Sequence, residues 1–276
     1  MSHKEGGRLN RVANTPFSGV DIVPIDLLGE ESMDSSPNWH NVTRSSDMKI
    51  ADKVREASFI SRQNRFACLV NLSDSEETVY LPNSGRLNRV LSLGQTVFVV
   101  ERPSLLRRTK YDLVAASLDG TIVSVDARVP GALIREALLR GALPPFAAYS
   151  SIQPEVARGR SRLDFLLSNA SSQCFLEVKS VTLAEGGRAL FPDSPTLRGR
   201  RHLHSLVWAK RDGYAAAMVF VIQREDVDGF SPNDAVDAEF GHGLRAAQSH
   251  GVDIYAYRCR VSPGEIELFG EVPIHL

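Results

Sequence analysis

Hydrophobic and polar positions change their spacing twice along the chain. Residues 1–54 follow neither the alternation of a strand nor the 3–4 spacing of a helix, are rich in Ser, Asn, Gly and Asp, and mix both signs of charge. Such a composition predicts a flexible amino-terminal extension. Met48 stands just ahead of the first regular pattern and is a candidate start of the functional chain. From 55 to 128 the runs ASFISR, RFACLVNL, ETVYLP, QTVFVVE, YDLVAAS and TIVSVDA follow one another, separated by turn signals such as PNSG and LDG. Short strands in succession with no helix between them predict a small barrel, and a five-stranded OB-type barrel is the economical choice.

After Pro130 the period lengthens. VPGALIREALLRG has Pro at a helix start, apolar residues at Leu133, Ile134, Ala137 and Leu138, and Gly141 as a stop, the pattern of a short amphipathic helix. Strand candidates follow around SIQPEVA, RLDFLLS and CFLEVKSVTL, then a helix from about Thr196 to Lys210. The uninterrupted apolar run AAAMVFVI predicts a central strand covered on both faces. A helix from about Asp234 to Gln248 and the segments VDIYAYRCRV and EIELFG close the chain. Residues 129–276 therefore read as an α/β domain, a mixed sheet flanked by helices.

Composition excludes some classes. No stretch approaches the roughly 20 apolar residues of a membrane span, and the first residues lack the apolar core of a secretory signal, which places the protein in the cytoplasm and off the membrane. Cys68, Cys174 and Cys259 are odd in number and far apart, fitting neither a disulfide framework nor a zinc site. Net charge is −1, yet Arg158–Arg211 holds ten Lys/Arg against four Asp/Glu, and 212–276 holds four against eleven. The first of these is a locally basic surface of the kind phosphate contacts require.

The chemistry concentrates in SRLDFLLSNASSQCFLEVKSVTL. A hairpin turn at Asn169–Ser172 pairs 168 with 173 and places Asp164 opposite Glu177, with Lys179 two residues on and projecting from the same face. Leu163, Phe165, Leu176 and Val178 are then expected to face the other way. Two adjacent carboxylates are unfavourable unless a cation or a proton compensates. Magnesium or manganese, held by Asp164, Glu177 and the backbone carbonyl of Val178, would resolve the conflict, with Lys179 offsetting charge on a phosphate. The competing reading is a cross-strand salt bridge. A further carboxylate would come from Glu136 on the preceding helix or Glu155 on the preceding strand. On the helix after the hairpin, Arg198, Arg201 and His202 fall on adjacent turns and form either a phosphate-holding row or a solvated cationic face.

The motifs RFACLV, LPNSGRL, RTKYDL, LIREAL, SRLDFLL, LEVKSVTL, FPDSPTLRGRRHL and FSPN, in that order from about Arg55 onward, resemble the sugar fermentation stimulation protein family. The resemblance implies a DNA-binding OB-type domain joined to a PD-(D/E)xK nuclease-like domain, with Asp164, Glu177 and Lys179 as its motif and Glu136 as the helix carboxylate. It also singles out Asn83 and Gly85, beside which Arg86, Arg107, Arg108 and Lys110 could contact phosphates, with surface solubility as the alternative role for the four basic residues. The amino-terminal extension shares none of these motifs. The expected activity is sequence-tolerant DNA binding with a magnesium-dependent phosphodiesterase site. Alternatives are a non-cleaving regulator of sugar-metabolism genes and a nuclease acting on RNA.

Overall fold

The computed structural model describes residues 23–24, 48–102 and 106–276. Most of the extension expected to be flexible lies outside them, but its described parts are paired. β1 (Val23–Pro24) runs antiparallel to Ser151–Ile152, and β2 (Met48–Lys49) to Glu265–Ile266. Met48, expected ahead of the structured pattern, is thus itself a sheet residue.

Alternating sequence gives alternating burial in the first half. β3 (Val54–Asn64), β4 (Ala67–Leu72), β5 (Ser75–Tyr80), β6 (Thr96–Glu101) and β7 (Tyr111–Leu118) pair in the order β5-β4-β3-β6-β7, and the contact of Tyr80 with Asp112 joins β5 to β7. That contact closes a five-stranded OB-type barrel around Val70, Val79, Leu81, Val97, Val99 and Leu113, all fully buried. The sixth strand, β8 (Thr121–Ser124), continues β7 as a hairpin and reaches the second domain. There the Ser124 amide donates to the Gln223 carbonyl at 3.0 Å, and Gln223 Nε2 donates to Ser180 Oγ at 2.9 Å. The barrel is therefore bonded to the segment that carries Lys179.

In the second domain α1 (Val129–Leu139) precedes a meander of β9 (Ser151–Arg158), β10 (Ser161–Ser168) and β11 (Gln173–Val181). Next come the two-residue β12 (Ala184–Glu185), β13 (Arg188–Phe191), α2 (Leu197–Arg211), β14 (Ala215–Ile222), β15 (Gly229–Pro232), α3 (Asp234–Ser249), β16 (Asp253–Val261) and β17 (Glu265–Glu271). The main sheet has the order β1-β9-β10-β11-β14-β16-β17-β2, parallel through β11, β14 and β16 and antiparallel elsewhere. β12, β13 and β15 form a small separate sheet, too short to leave an alternation in the sequence. The run expected to be a doubly covered strand is β14. Ala217, Val219 and Val221 face the core shared with α1, and Ala216, Met218, Phe220 and Ile222 face the core shared with α2 and α3. Among the described residues no helix is long and apolar enough to cross a membrane.

One expected facing is wrong. Leu163 packs in the α2/α3 core, whereas Phe165, Leu176 and Val178 lie on the α1 side. The β9–β10 ladder pairs Leu163 with Val156 and Phe165 with Pro154 but skips Asp164 and Glu155, and Glu155 has φ +52°. A left-handed residue next to a proline that has no N–H to donate interrupts the pleat, so the side chain before the break changes face.

The start of α2, which borders the site, is fixed from two directions. Thr196 Oγ1 accepts the Gly199 amide at 3.0 Å as an N-cap. The buried Asp237, where α3 is kinked, accepts the Thr196 amide at 2.7 Å, the Phe240 amide at 3.0 Å and Arg200 Nε at 3.0 Å. Burial pulls this carboxyl up, but those donors outweigh it and hold it below the ordinary Asp range. Ionised Asp237 therefore adds stability at neutral pH that is lost as pH falls below the ordinary Asp value. Asp237→Ala should lower unfolding free energy by about 2–4 kcal/mol at pH 7, with a smaller difference at pH 4, in urea titrations.

Candidate functional site

The hairpin register follows from its turn. Asn169 Oδ1 accepts the amides of Ser171 at 3.0 Å and Ser172 at 2.8 Å, and Ser168 pairs with Gln173 and Phe165 with Leu176. One step further Asp164 is level with Glu177, as the turn predicts. At that step the regular ladder has ended, and Asp164 Oδ2 instead accepts the Val178 amide at 2.7 Å. The carboxylate stands where a strand carbonyl would, which leaves its other oxygen for a ligand. At Val178 it is thus the N–H that is engaged, and Val178 lines the cavity described below.

Glu177 is buried. Its Oε1 contacts Lys179 Nζ and His202 Nδ1, while Oε2 has no hydrogen-bond partner among the described residues. The histidine tautomer follows from its partners. Arg198 Nε donates to His202 Nε2 at 3.3 Å, and Nδ1 faces both Glu177 Oε1 and, at 3.1 Å, Lys179 Nζ. With Lys179 donating to the shared Oε1, the carboxylate takes the Nδ1 proton and Nε2 accepts from Arg198. His202 was expected in a phosphate-holding row. The structure buries it behind Glu177, because α2 turns its Leu203 and Leu206 face, and His202 with it, toward the sheet. The i, i+4 pairing with Arg198 is formed, and Arg198 stays at the cavity.

Asp164, Glu177, Val178, Lys179 and Arg198 line a cavity of about 500 Å³ between the domains, walled on the barrel side by Arg65, Asn83 and Gly85. The barrel loop approaches closely. A Cβ on Gly85 would lie 2.5 Å from Asp193 Oδ2, which also accepts the Leu87 amide at 3.3 Å. Asn83 donates Nδ2 to the Val125 carbonyl at 2.9 Å and accepts the Gly85 amide at 2.8 Å. Asn83 and Gly85 are thus at the site, but Asn83 is buried and shapes the loop. Arg65 and Asp193 were not anticipated. Neither lies in a periodic segment, so only the loop's docking reveals them.

Other expected residues lie elsewhere. Glu136 is on α1, over the opposite face of the sheet, and pairs with Arg140. Glu155, at the break in β9, is exposed and pairs with Arg162 at 2.7 Å. Neither lines the cavity. Arg107 is paired with the buried Asp112, and Lys110 with Glu101 at 3.2 Å. Arg86 and Arg108 are exposed and do not line the cavity, although Arg86 directly follows Gly85, and Arg201 is exposed on the outer face of α2.

By formal count the cavity charges balance, Asp164, Glu177 and Asp193 against Arg65, Lys179 and Arg198. Burial, and then the Glu177 charge, push the Asp164 carboxyl up to about 6. Burial acts the same way on Glu177, but Lys179 and His202 outweigh it and hold that carboxyl below the ordinary Glu range. The donor set suits a hard divalent cation. Among the described residues no group of three or more His, Cys, Asp or Glu is placed to hold a metal. An ion here would take two carboxylates and draw its remaining ligands from backbone or water, as magnesium commonly does. The unpartnered Glu177 Oε2 is the atom such an ion would satisfy.

Family models match both halves of this architecture. The SfsA N-terminal OB domain covers residues 60–125, and the sugar fermentation stimulation protein RE domain covers 128–265. The chain belongs to the sugar fermentation stimulation protein family. A family homolog from Clostridium perfringens is 41% identical over 230 residues, spanning 83% of this chain and 100% of that one. A Chloroflexus aurantiacus homolog is 45% identical over 219 residues, 79% of this chain and 85% of its own. The structure of Pyrococcus furiosus SfsA in complex with Ca2+ superposes with a TM-score of 0.77 at 31% identity, covering 83% of this chain and 100% of that one. Family membership thus accounts for both the barrel and the mixed-sheet domain, with the cavity at their junction.

Unfolded, Asp164 loses its proton near 3.8; folded, near 6. Its ionisation therefore opposes folding, with no penalty below about pH 4 and the full penalty above pH 6. Asp164→Asn keeps an oxygen for the Val178 amide and removes the charge. In chelator it should unfold about 1–3 kcal/mol less readily than the parent at pH 8, and the gap should close as pH falls to 4. A variant less stable at pH 8 would contradict this electrostatic account.

Proposed function

We propose that this protein binds nucleic acid with little sequence preference, DNA being the leading candidate, and hydrolyses phosphodiesters at the Asp164–Glu177–Lys179 cluster with magnesium or manganese. The observation that carries the reading is the buried, unpartnered Glu177 Oε2 beside an Asp164 whose charge is under-compensated, at the floor of a cavity open between two domains. The Ca2+ named in the Pyrococcus furiosus complex supports a divalent ion in a relative of this chain.

Asp164 and Glu177 would hold the ion, with the Val178 carbonyl as a third donor. When bound, such an ion polarises a phosphodiester and lowers the pKa of a water. Lys179, beside Glu177, offsets negative charge developing on the phosphate. Arg198 faces the same cavity and holds a phosphate oxygen while keeping His202 in the tautomer that fixes Glu177. The barrel supplies the opposite wall through Arg65 and the Asn83–Gly85 loop.

The test is incubation of the purified protein with labelled duplex DNA, single-stranded DNA and RNA, with and without magnesium or manganese, beside Asp164→Ala and Lys179→Ala. Metal-dependent cutting should fall by roughly 10²-fold or more in each variant, with binding largely retained. Binding without metal-dependent cutting would replace this reading with a non-cleaving DNA-binding regulator. Cutting that survives both substitutions would move the site elsewhere. Preferential cutting of RNA would reassign the substrate.

A further inference from the structure

The outer face of α2 carries a second feature that the cavity chemistry leaves unused. Arg201, His204, Trp208 and Arg211 follow at helical spacing of three and four, and all are exposed. Trp208 is 57% exposed, among the largest apolar side chains the fold leaves uncovered. Beside it is an open pocket of about 460 Å³ lined by Arg158, Gly159, Trp208, Arg211 and Asp212.

This pocket is built. Arg158 sits over the rings of Phe175 and Tyr214, 5.2 and 5.1 Å from their centroids, and is tied to Asp212, so its guanidinium is held rather than mobile. The β9–β10 turn that carries it has Gly159 at φ +58°, where even a Cβ would come no closer than 3.9 Å to the Trp208 ring. No side chain at 159 shields the indole. Arg160, the next turn residue, is exposed. A Ser205 Oγ to Ser161 Oγ hydrogen bond of 2.8 Å locks this turn to α2. The acids nearby, Asp212 and Glu155, are paired with Arg158 and Arg162, so that Arg160, Arg201 and Arg211 have no counter-charge partner among the described residues.

We infer that Trp208 and its arginines form a binding site for an unpaired nucleotide, the base stacking on the indole and the flanking phosphates lying on Arg201, Arg211 and Arg160. An exposed indole with Arg158 and Arg211 in its pocket and Arg201 two turns away on the same helix suits a base on a polyanion, whereas an apolar partner surface would want several neighbouring hydrophobic side chains. Charge complementarity and continuity favour the same occupant. The helix begins at the cavity with Arg198, and Trp208 is ten residues on, about 15 Å along the axis. That separation is one a few nucleotides of single strand can cover. The inference rests on the proposed nucleic-acid reading and narrows it to substrates with a single-stranded segment.

The test needs neither metal nor cleavage, so it is separable from the nuclease reading. In chelator, on a Trp39→Phe background that leaves Trp208 as the fluorophore, the protein is titrated with a 12-nucleotide oligo-dT, the matching oligo-U and a blunt duplex. Expected are quenching by single strand and a roughly 5- to 100-fold weaker single-strand Kd in Trp208→Ala on the unmodified chain. Trp208→Phe should keep most of the affinity, and the duplex Kd should change less than twofold. Quenching by DNA, RNA or both supports the site. Absence of quenching, an unchanged single-strand Kd in Trp208→Ala, or an equal loss on blunt duplex overturns it, the last because it would mark general electrostatic attachment. Thermal unfolding of both variants within a few degrees of the parent excludes misfolding as the cause.

Discussion

Two carboxylates set level at the end of a hairpin, one of them buried, impose a charge problem around which the rest of the site is arranged. Asp164 has a backbone amide to bond and Glu177 has Lys179 and His202. Even so, one oxygen of Glu177 is left without a partner among the described residues and Asp164 is pushed toward neutrality. An uncompensated buried carboxylate costs folding free energy. A fold that keeps one holds it in place from elsewhere. Here α2 is capped by Thr196 and anchored by Asp237, so that His202 arrives behind Glu177 with its proton on the correct nitrogen.

The barrel belongs to this arrangement. Through Ser124, Gln223 and Ser180 it is bonded to the strand that carries Lys179, and through Gly85 and Leu87 it presses on Asp193 in the cavity wall. Glycine at 85 permits this approach, since a larger residue would have to push the Asp193 carboxylate aside. The cavity is thus a junction between domains, and its cations come from both sides.

Much of this was legible in the sequence where the governing interaction is local. The Asn169 turn determines the hairpin register, and with it the meeting of Asp164 and Glu177. The AAAMVFVI run is buried on both faces because parallel neighbours and helices cover it. What failed depends on distant partners or on one irregular residue. Leu163 changed face because Glu155 is left-handed beside Pro154. Nor does the sequence show that Asp112 and Glu101 reach Arg107 and Lys110 in the folded barrel. Helical spacing linked His202 to Arg198 correctly yet gave no sign that the imidazole would be buried against Glu177. Short bridges such as β1 and β2 are made by sheet edges far along the chain, and two residues carry no pattern.

The central claim is that Asp164 and Glu177 together form one divalent-cation site. Titration of chelator-stripped protein with Mn2+, read by the loss of the free-ion paramagnetic resonance signal at pH 8, tests it without any substrate. The account predicts one ion bound per chain, with affinity reduced by about 10-fold or more in Glu177→Gln, since the amide keeps the side chain's shape but removes the charge. No saturable binding by the parent, or equal binding by Glu177→Gln, would contradict it.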